Sequence, residues 1–485
     1  MNQTSRADLR AFFDPQGVAV FGSLREMPGT AYWVIKNMLQ FGFRGGIYPI
    51  NPDPSKYRDV FGLKVYGDIK EVAGAADLAV VITPPPTVPE IAQKCATWGV
   101  KAAIVLSEGF AESGDEGAAL QRQLTEIARS SGMRIMGPNT FGVVNSANGL
   151  ATMPPWADNE KIEKGGIAVC GQTGSIGPHQ IPLEDWAYPV SKMCDISNKC
   201  DVNEADVLNY LADDPDTKVV AFHLEDVRDG KEFMKAARRL ASAKPLLVLK
   251  TGRSEAGARA SASHTGSLVG TDKVYDAALR QAGAIRVSSW QELFEVPKTL
   301  FYQPLPAGNR FAVITLTGGQ GVIAADAASA SGLTVARFSP ETVSKLSALF
   351  PRLGGNPVDI GPAMSDSRTM SSPNPFAVFG ETLSLVLGDA NVDCVTIVFA
   401  CGRQTVPMFP MVVDMLSKLT GGYSKTVNVF LYGTSLSAIH EMSRQLQARS
   451  LPAYLDLDLA IRSLGYAAYY SRVKASLSGS GLLSS

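Results

Sequence analysis

Apolar residues in this chain fall in short unbroken runs, separated by longer stretches with helical spacing. Gly17-Val-Ala-Val-Phe-Gly22-Ser23 reads as a buried strand ending in a glycine turn, and Thr30 to Gln40 as a helix with Tyr32, Ile35 and Leu39 on one side. Further apolar runs begin at Ile47, Leu78, Ala102 and Arg134, and helical patterns lie between most of them. The same opening, a strand into a glycine turn, returns at residues 167–174 and 311–321. Strands at Val219 to Glu225 and Leu246 to Lys250 and a helix over Lys231 to Ala243 follow the second opening, and strands at Val395 to Ala400 and Val427 to Tyr432 follow the third. Continuous apolar strands alternating with helices predict parallel, doubly wound sheets. The fold class is therefore α/β, with three parallel-sheet domains over 8–147, 160–302 and 308–472. Three domains also suit 485 residues, since a single core stops growing at about 250–300. Residues 352–375, rich in Gly, Pro, Ser and Asp, read as one long loop, and Ser476 to Ser485 as a frayed tail.

Charge narrows the partners. Lys and Arg total 45 against 46 Asp and Glu, so no electrostatic pull toward nucleic acid or an anionic membrane is expected. No run of 18 apolar residues predicts a membrane span, and the N-terminus lacks the apolar segment of a signal peptide. Six scattered cysteines without a CxxC pair argue against a zinc site or disulfide framework and fit reduced thiols in the cytoplasm.

The chemistry-bearing segments sit where strands end. Gly22-Ser23-Leu24-Arg25 can present backbone N–H groups to a phosphate or be a plain connection. It lacks the full GxGxxG fingerprint, and Asn51 and Pro52 stand where a dinucleotide ribose would need an acid. Thr83-Pro84-Pro85, Ser107 and Asn139 end three further strands at the same carboxyl edge, the usual ligand edge of such sheets. Gln172-Thr173-Gly174-Ser175 is the matching turn of the second domain, suited to a carboxylate or phosphoryl group or simply structural. His264 lies among small residues in Ser261-Ala-Ser-His264-Thr-Gly-Ser, and its neutral imidazole is a competent nucleophile. Glu225, at a strand end, can orient that ring. Lys250, Arg253 and Arg259 flank the loop as phosphate ligands or as solvated charges, and His223, inside a strand, reads as packing.

Taken in order, Phe13-Asp-Pro-Gln-Gly-Val-Ala-Val-Phe-Gly-Ser, Ile47-Tyr-Pro-Ile-Asn-Pro, Gly137-Pro-Asn-Thr-Phe-Gly-Val-Val-Asn, Ser263-His-Thr-Gly-Ser and Asn356-Pro-Val-Asp carry a resemblance over nearly the whole chain. It resembles the alpha subunit of ADP-forming acetyl-CoA synthetases and, more distantly, that of succinyl-CoA synthetase. The resemblance implies a Rossmann-like first domain followed by two flavodoxin-like domains, and that the first domain binds CoA, with Gly22, Ser23, Leu24 and Arg25 at its phosphates and Thr83, Pro84, Pro85, Ser107 and Asn139 along the cleft. It implies that His264 carries a phosphoryl group, that Glu225 steadies it, and that Gln172, Thr173, Gly174 and Ser175 hold the acyl carboxylate or phosphate. ATP or ADP and Mg²⁺ would be bound mainly by an ATP-grasp beta subunit in an α2β2 assembly. The turn reads Gly-Gln-Thr-Gly where the family commonly has Ser-Gln-Ser-Gly, which leaves the acid open between acetate and larger aliphatic or aromatic acids. Three rivals remain: a CoA-linked lyase on the same fold, a non-catalytic CoA-binding protein, and a NAD-dependent oxidoreductase.

Overall fold

A computed structural model describes residues 8–27, 29–57, 60–153, 161–177, 181–184, 186–257, 259, 271–371 and 376–479. His264 and the rest of 260–270 lie outside these residues.

The first sheet has strands β1 (Gly17–Gly22), β2 (Gly46–Ile50), β3 (Leu78–Ile82), β4 (Ala102–Val105) and β5 (Arg134–Met136), all parallel, in the order 2-1-3-4-5. The central strands are buried almost end to end, as expected of a sheet covered on both faces. Each fully buried Val, Leu or Ile there contributes about 1.5–3 kcal/mol. The order reverses direction between β1 and β3, so the ligand crevice of such a sheet opens at their carboxyl ends.

The helix after β1 starts at Ala31, well beyond Gly22 along the chain and not directly at the turn. Its buried face is Ala31, Val34, Ile35 and Met38, while Leu39 is exposed. The expected Tyr32–Ile35–Leu39 side is rotated because Asn37 is drawn inward, its Nδ2 donating to Met153 O at 2.9 Å.

The second sheet comprises β6 (Val143–Asn145), β7 (Leu150–Ala151), β8 (Lys164–Gly171), β9 (Val190–Asp195), β10 (Val219–Leu224), β11 (Leu246–Lys250) and β12 (Ile285–Val287), ordered 12-11-10-8-9-6-7. β8 to β12 are parallel; β6 and β7 add an antiparallel edge. The chain thus leaves the first sheet at Met136 and enters the second at Val143, and residues 137–142 bridge the two. Arg134 clamps the same junction: its Nε and Nη2 each lie 2.8 Å from a carboxylate, those of Asp201 and Asp206. Both sheets fall in one compact unit, residues 1–184 and 188–288.

The other unit, residues 185–187 and 289–485, holds β13 (Arg310–Thr315), β14 (Thr334–Val335), β15 (Val358–Asp359), β16 (Cys394–Cys401), β17 (Thr426–Gly433) and β18 (Ala453–Tyr454). They form a parallel sheet ordered 14-13-16-17-18, with β15 also against β13. The helix Trp290–Tyr302, read from sequence as the end of the second domain, packs here: Lys298 Nζ donates to Ala453 O at 2.9 Å, and Thr299 and Tyr454 hydroxyls are 2.6 Å apart. The stretch expected to be a loop contains β15 and two short helices, Gly361–Met364 and Ser367–Met370. Asn356 explains the order. Its side chain donates to Phe311 O and Ala336 O and accepts from the Val313 N–H, tying the segment to β13. The final helix runs Leu457–Gly479, past the start of the expected frayed tail.

Candidate functional site

The carboxyl ends of β3, β4 and β5 are knotted together. Ser107 Oγ donates to Thr83 O at 2.6 Å and accepts the Thr83 N–H at 3.1 Å; the Asn139 N–H donates to Ser107 O at 3.0 Å. Asn139 has a left-handed backbone, φ +62°, which bends the chain sharply at this edge. Beside them Asn51 Nδ2 donates to Gly22 O at 3.2 Å.

These strand ends form one wall of a cavity of about 1120 Å³. Its lining includes Gly22, Ser23, Thr83, Pro84, Pro85, Ser107 and Asn139 from the first sheet, and Gln172, Thr173, Gly174 and Ser175 from the second. Leu24 and Arg25 are not on the lining: Leu24 is buried in the core and Arg25 is exposed. Gly22 is required where it stands. Its φ is +149°, and a Cβ would lie 2.5 Å from Ile82 O.

The second glycine turn leads into a single 3₁₀ turn, Gly174–Ile176. Thr173 Oγ1 accepts the Ser175 N–H at 3.3 Å, which leaves that donor already engaged. Gln172 is buried and anchors the turn. Its Oε1 accepts the N–H groups of Glu225 (2.7 Å) and Asp226 (3.2 Å), and its Nε2 donates to Asp226 Oδ1 at 2.6 Å. Glu225 is therefore fixed through its backbone to the turn, although it does not line the cavity. Asp226 in turn accepts from Lys199 Nζ at 2.7 Å, and Lys199 lies 3.3 Å from Glu204.

Near the start of the segment that carries His264, Lys250 is buried with its Nζ 4.5 Å from the Tyr275 ring centroid. Burial pulls its pKa down to about 8, against the opposing pull of Asp226 and Asp272. Arg253 reaches Asp272 at 3.9 Å. His223 is buried, its Nε2 3.1 Å from Thr251 Oγ1, and burial lowers its pKa to about 4, so it is neutral at neutral pH, in keeping with a packing role.

Three residues absent from the sequence-based candidates belong to this region: Asp195 on the cavity lining, and Asp226 and Lys199 behind the glycine turn, where Asp226 holds Gln172 and pairs with Lys199. Asp195 and Lys199 belong to the run Cys194-Asp-Ile-Ser-Asn-Lys, which leaves the carboxyl end of β9. A polar run after a strand is the available signal. Its neighbour β8 reads as a strand from the sequence, whereas β9 does not.

Residues 16–146 match the CoA binding domain family and residues 164–300 the succinyl-CoA ligase like flavodoxin domain family. The alpha subunit of acetate–CoA ligase [ADP-forming] II from Pyrococcus furiosus is 36% identical over 401 residues, which cover 80% of this chain and 83% of that one. The chain belongs to the ADP-forming acetate–CoA ligase family. A longer relative, acetate–CoA ligase [ADP-forming] II from Archaeoglobus fulgidus, is 35% identical over 96% of this chain and 67% of its own length. Among solved structures, the dinucleotide forming acetyl-coenzyme A synthetase 1 of Ca. Korarchaeum cryptofilum, in complex with phosphate and ADP, superposes with a TM-score of 0.87 at 28% identity, over 99% of this chain and 100% of that one. As in its family, the chain is an acid–thiol ligase built on a CoA-binding domain and a flavodoxin-like domain.

The glycine at the first turn gives a direct check on the CoA-binding domain. Gly22→Val costs about 1–3 kcal/mol through backbone strain and crowds the Ile82 carbonyl. Calorimetric titration with CoA should show at least a tenfold rise in Kd.

Proposed function

We propose that this chain is the CoA-binding alpha part of an ADP-forming acyl-CoA synthetase that passes a phosphoryl group through His264. The observation that carries the proposal is the cavity shared by the strand ends of the CoA-binding domain and the glycine turn Gln172–Ser175. One wall suits CoA; the other, a glycine turn with small side chains, leaves room for a carboxylate or acyl phosphate. A thiol and an acyl phosphate held in one cavity are positioned to react.

The chemistry follows from leaving-group ability. A carboxylate does not release oxide to a thiol, whereas an acyl phosphate releases phosphate readily. In synthesis, phospho-His264 gives its phosphoryl group to the acid, and CoA then displaces phosphate from the acyl carbon. In reverse, phosphate attacks the thioester, His264 accepts the phosphoryl group from the acyl phosphate, and ADP receives it. Glu225 orients the His264 imidazole, and its anchoring to Gln172 keeps it beside the turn. ATP, ADP and Mg²⁺ belong to an ATP-grasp beta subunit, in an α2β2 assembly. Among the described residues no group of three or more His, Cys, Asp or Glu is arranged to hold a metal ion. Acetate and larger aliphatic or aromatic acids are the candidate substrates. No helix among the described residues is long and apolar enough to cross a membrane.

The test is phosphoryl labelling. The chain, an ATP-grasp partner subunit, Mg²⁺ and γ-³²P-ATP should yield acid-labile, base-stable label on this chain. His264→Ala should carry none. An unlabelled wild-type chain beside an active partner would refute the carrier role.

A further inference from the structure

Asp195 has no part in the chemistry assigned so far, yet it stands where the two walls of the cavity meet. It closes β9, opposite Gly171 in the register with β8, one residue before the glycine turn Gln172–Ser175. From the other side, Phe141 on the bridge between the sheets donates its N–H to Asp195 Oδ2 at 3.2 Å, and Ser197 donates to Oδ1 at 2.9 Å. Thr140 Oγ1 donates to its backbone carbonyl. Asp195 is thus 1% exposed, fixed in orientation from both domains, and on the lining of the cavity.

Among the described residues Asp195 makes no ion pair. The nearby cation, Lys199, is committed to Asp226 and Glu204. The other acids of the lining are poor proton acceptors for the interior: Glu90 is exposed and paired with Lys94, Glu108 is exposed, and Asp68 caps a helical turn. A buried carboxyl without a cation is costly, and such groups concentrate at functional sites.

We propose that Asp195 is the general base that takes the thiol proton of CoA as the sulfur attacks the acyl phosphate. This step rests on the acyl-CoA synthetase reading. The S–H bond breaks with its proton passing to a carboxylate oxygen of Asp195; the sulfur–acyl carbon bond forms; the carbon–oxygen bond to phosphate breaks. The proton then leaves Asp195 for the departing phosphate, which exits as hydrogen phosphate. Burial, reinforced by the charge of Glu225, raises the Asp195 pKa to about 7, close to the value that makes a base effective near neutral pH. The groups around it are Glu225 at the end of β10, His223 beside Gly171, Cys194 before it, and the Lys199–Asp226–Glu204 cluster.

The experiment follows acetyl-CoA formation from acetyl phosphate and CoA, from about pH 5.5 to about pH 9, a range that brackets the relevant pKa. Wild type should show a rate that rises with pH and levels off above about 7. Asp195→Asn keeps the size and the N–H contact of one oxygen; it should lower kcat about 100-fold and lose that limb. CoA affinity, measured by calorimetry, should stay within about twofold, a check on folding that Asp195→Ser repeats with a smaller side chain. Asp195→Asn with wild-type kcat and pH dependence overturns the assignment alone. A wild type that binds CoA yet makes no acyl-CoA from acetyl phosphate or from the acyl phosphates of larger aliphatic and aromatic acids overturns the synthetase reading, and the assignment with it.

Discussion

Lys199→Met lowers the unfolding free energy by about 3–5 kcal/mol, the usual cost of stripping one partner from a buried ion cluster. The lysine side chain is 3% exposed and Glu204 is 1% exposed. Nζ lies 2.7 Å from Asp226 Oδ1, 3.2 Å from Asp226 O and 3.3 Å from Glu204 Oε2. Methionine fills much the same volume but leaves two buried carboxylates without their shared cation. Urea unfolding followed by intrinsic fluorescence measures the loss. Lys199→Met combined with Glu204→Gln should recover part of it, because one of the two stranded charges is gone. A loss below about 1 kcal/mol would mean that the cluster behaves like an exposed pair. Catalysis should suffer as well, since the same turn supplies the Ser197 N–H that fixes Asp195.

Gln172→Leu should lower kcat at least about 100-fold, through misplacement rather than lost contact. One amide serves three groups: the N–H of Glu225, the N–H of Asp226 and the Asp226 carboxylate. Leucine fits the space and satisfies none of them, and each stranded buried group costs about 1–3 kcal/mol. The end of β10 then moves away from the glycine turn, and Glu225 with it. The knot of Thr83, Ser107 and Asn139 is untouched, so the KM for CoA should change little. Steady-state kinetics with CoA as varied substrate separates the two parameters. A large rise in KM with kcat intact would assign Gln172 to CoA binding instead.

Strands were legible in the sequence because central parallel strands are apolar on both faces; β1, β3, β4, β8, β10, β11, β16 and β17 all coincide with apolar runs. The site edge was legible for the same reason: where such a run stops, the carboxyl edge begins, and Thr83, Ser107, Asn139 and Gln172 all follow a run. What escaped were features set by tertiary contact. β9 carries Ser191 and Lys192 in a strand that is buried throughout, so its pattern looks broken. Lys192 tolerates burial because Asp214 Oδ2 lies 2.7 Å and Asp216 Oδ2 3.6 Å from its Nζ, partners of which the nearer is 22 residues away. Without β9, the polar run after it had no strand end to belong to, and Asp195 stayed hidden. The buried side of the helix Ala31–Gln40 was likewise decided by Asn37 and a carbonyl 116 residues distant.

The bridge between the first two sheets has a further consequence. Asn139 ends the edge it forms with Thr83 and Ser107, while Thr140 and Phe141, next along the chain, grip Asp195. If CoA fills that edge as proposed, a displacement of Asn139 would pass along the chain to the hydrogen bonds that hold a carboxyl at the end of the other sheet. Such a linkage would be reciprocal: whatever factor CoA binding applied to the proton affinity of Asp195, within the limit of about twofold set for Asp195→Asn, protonation of Asp195 would apply to the affinity for CoA.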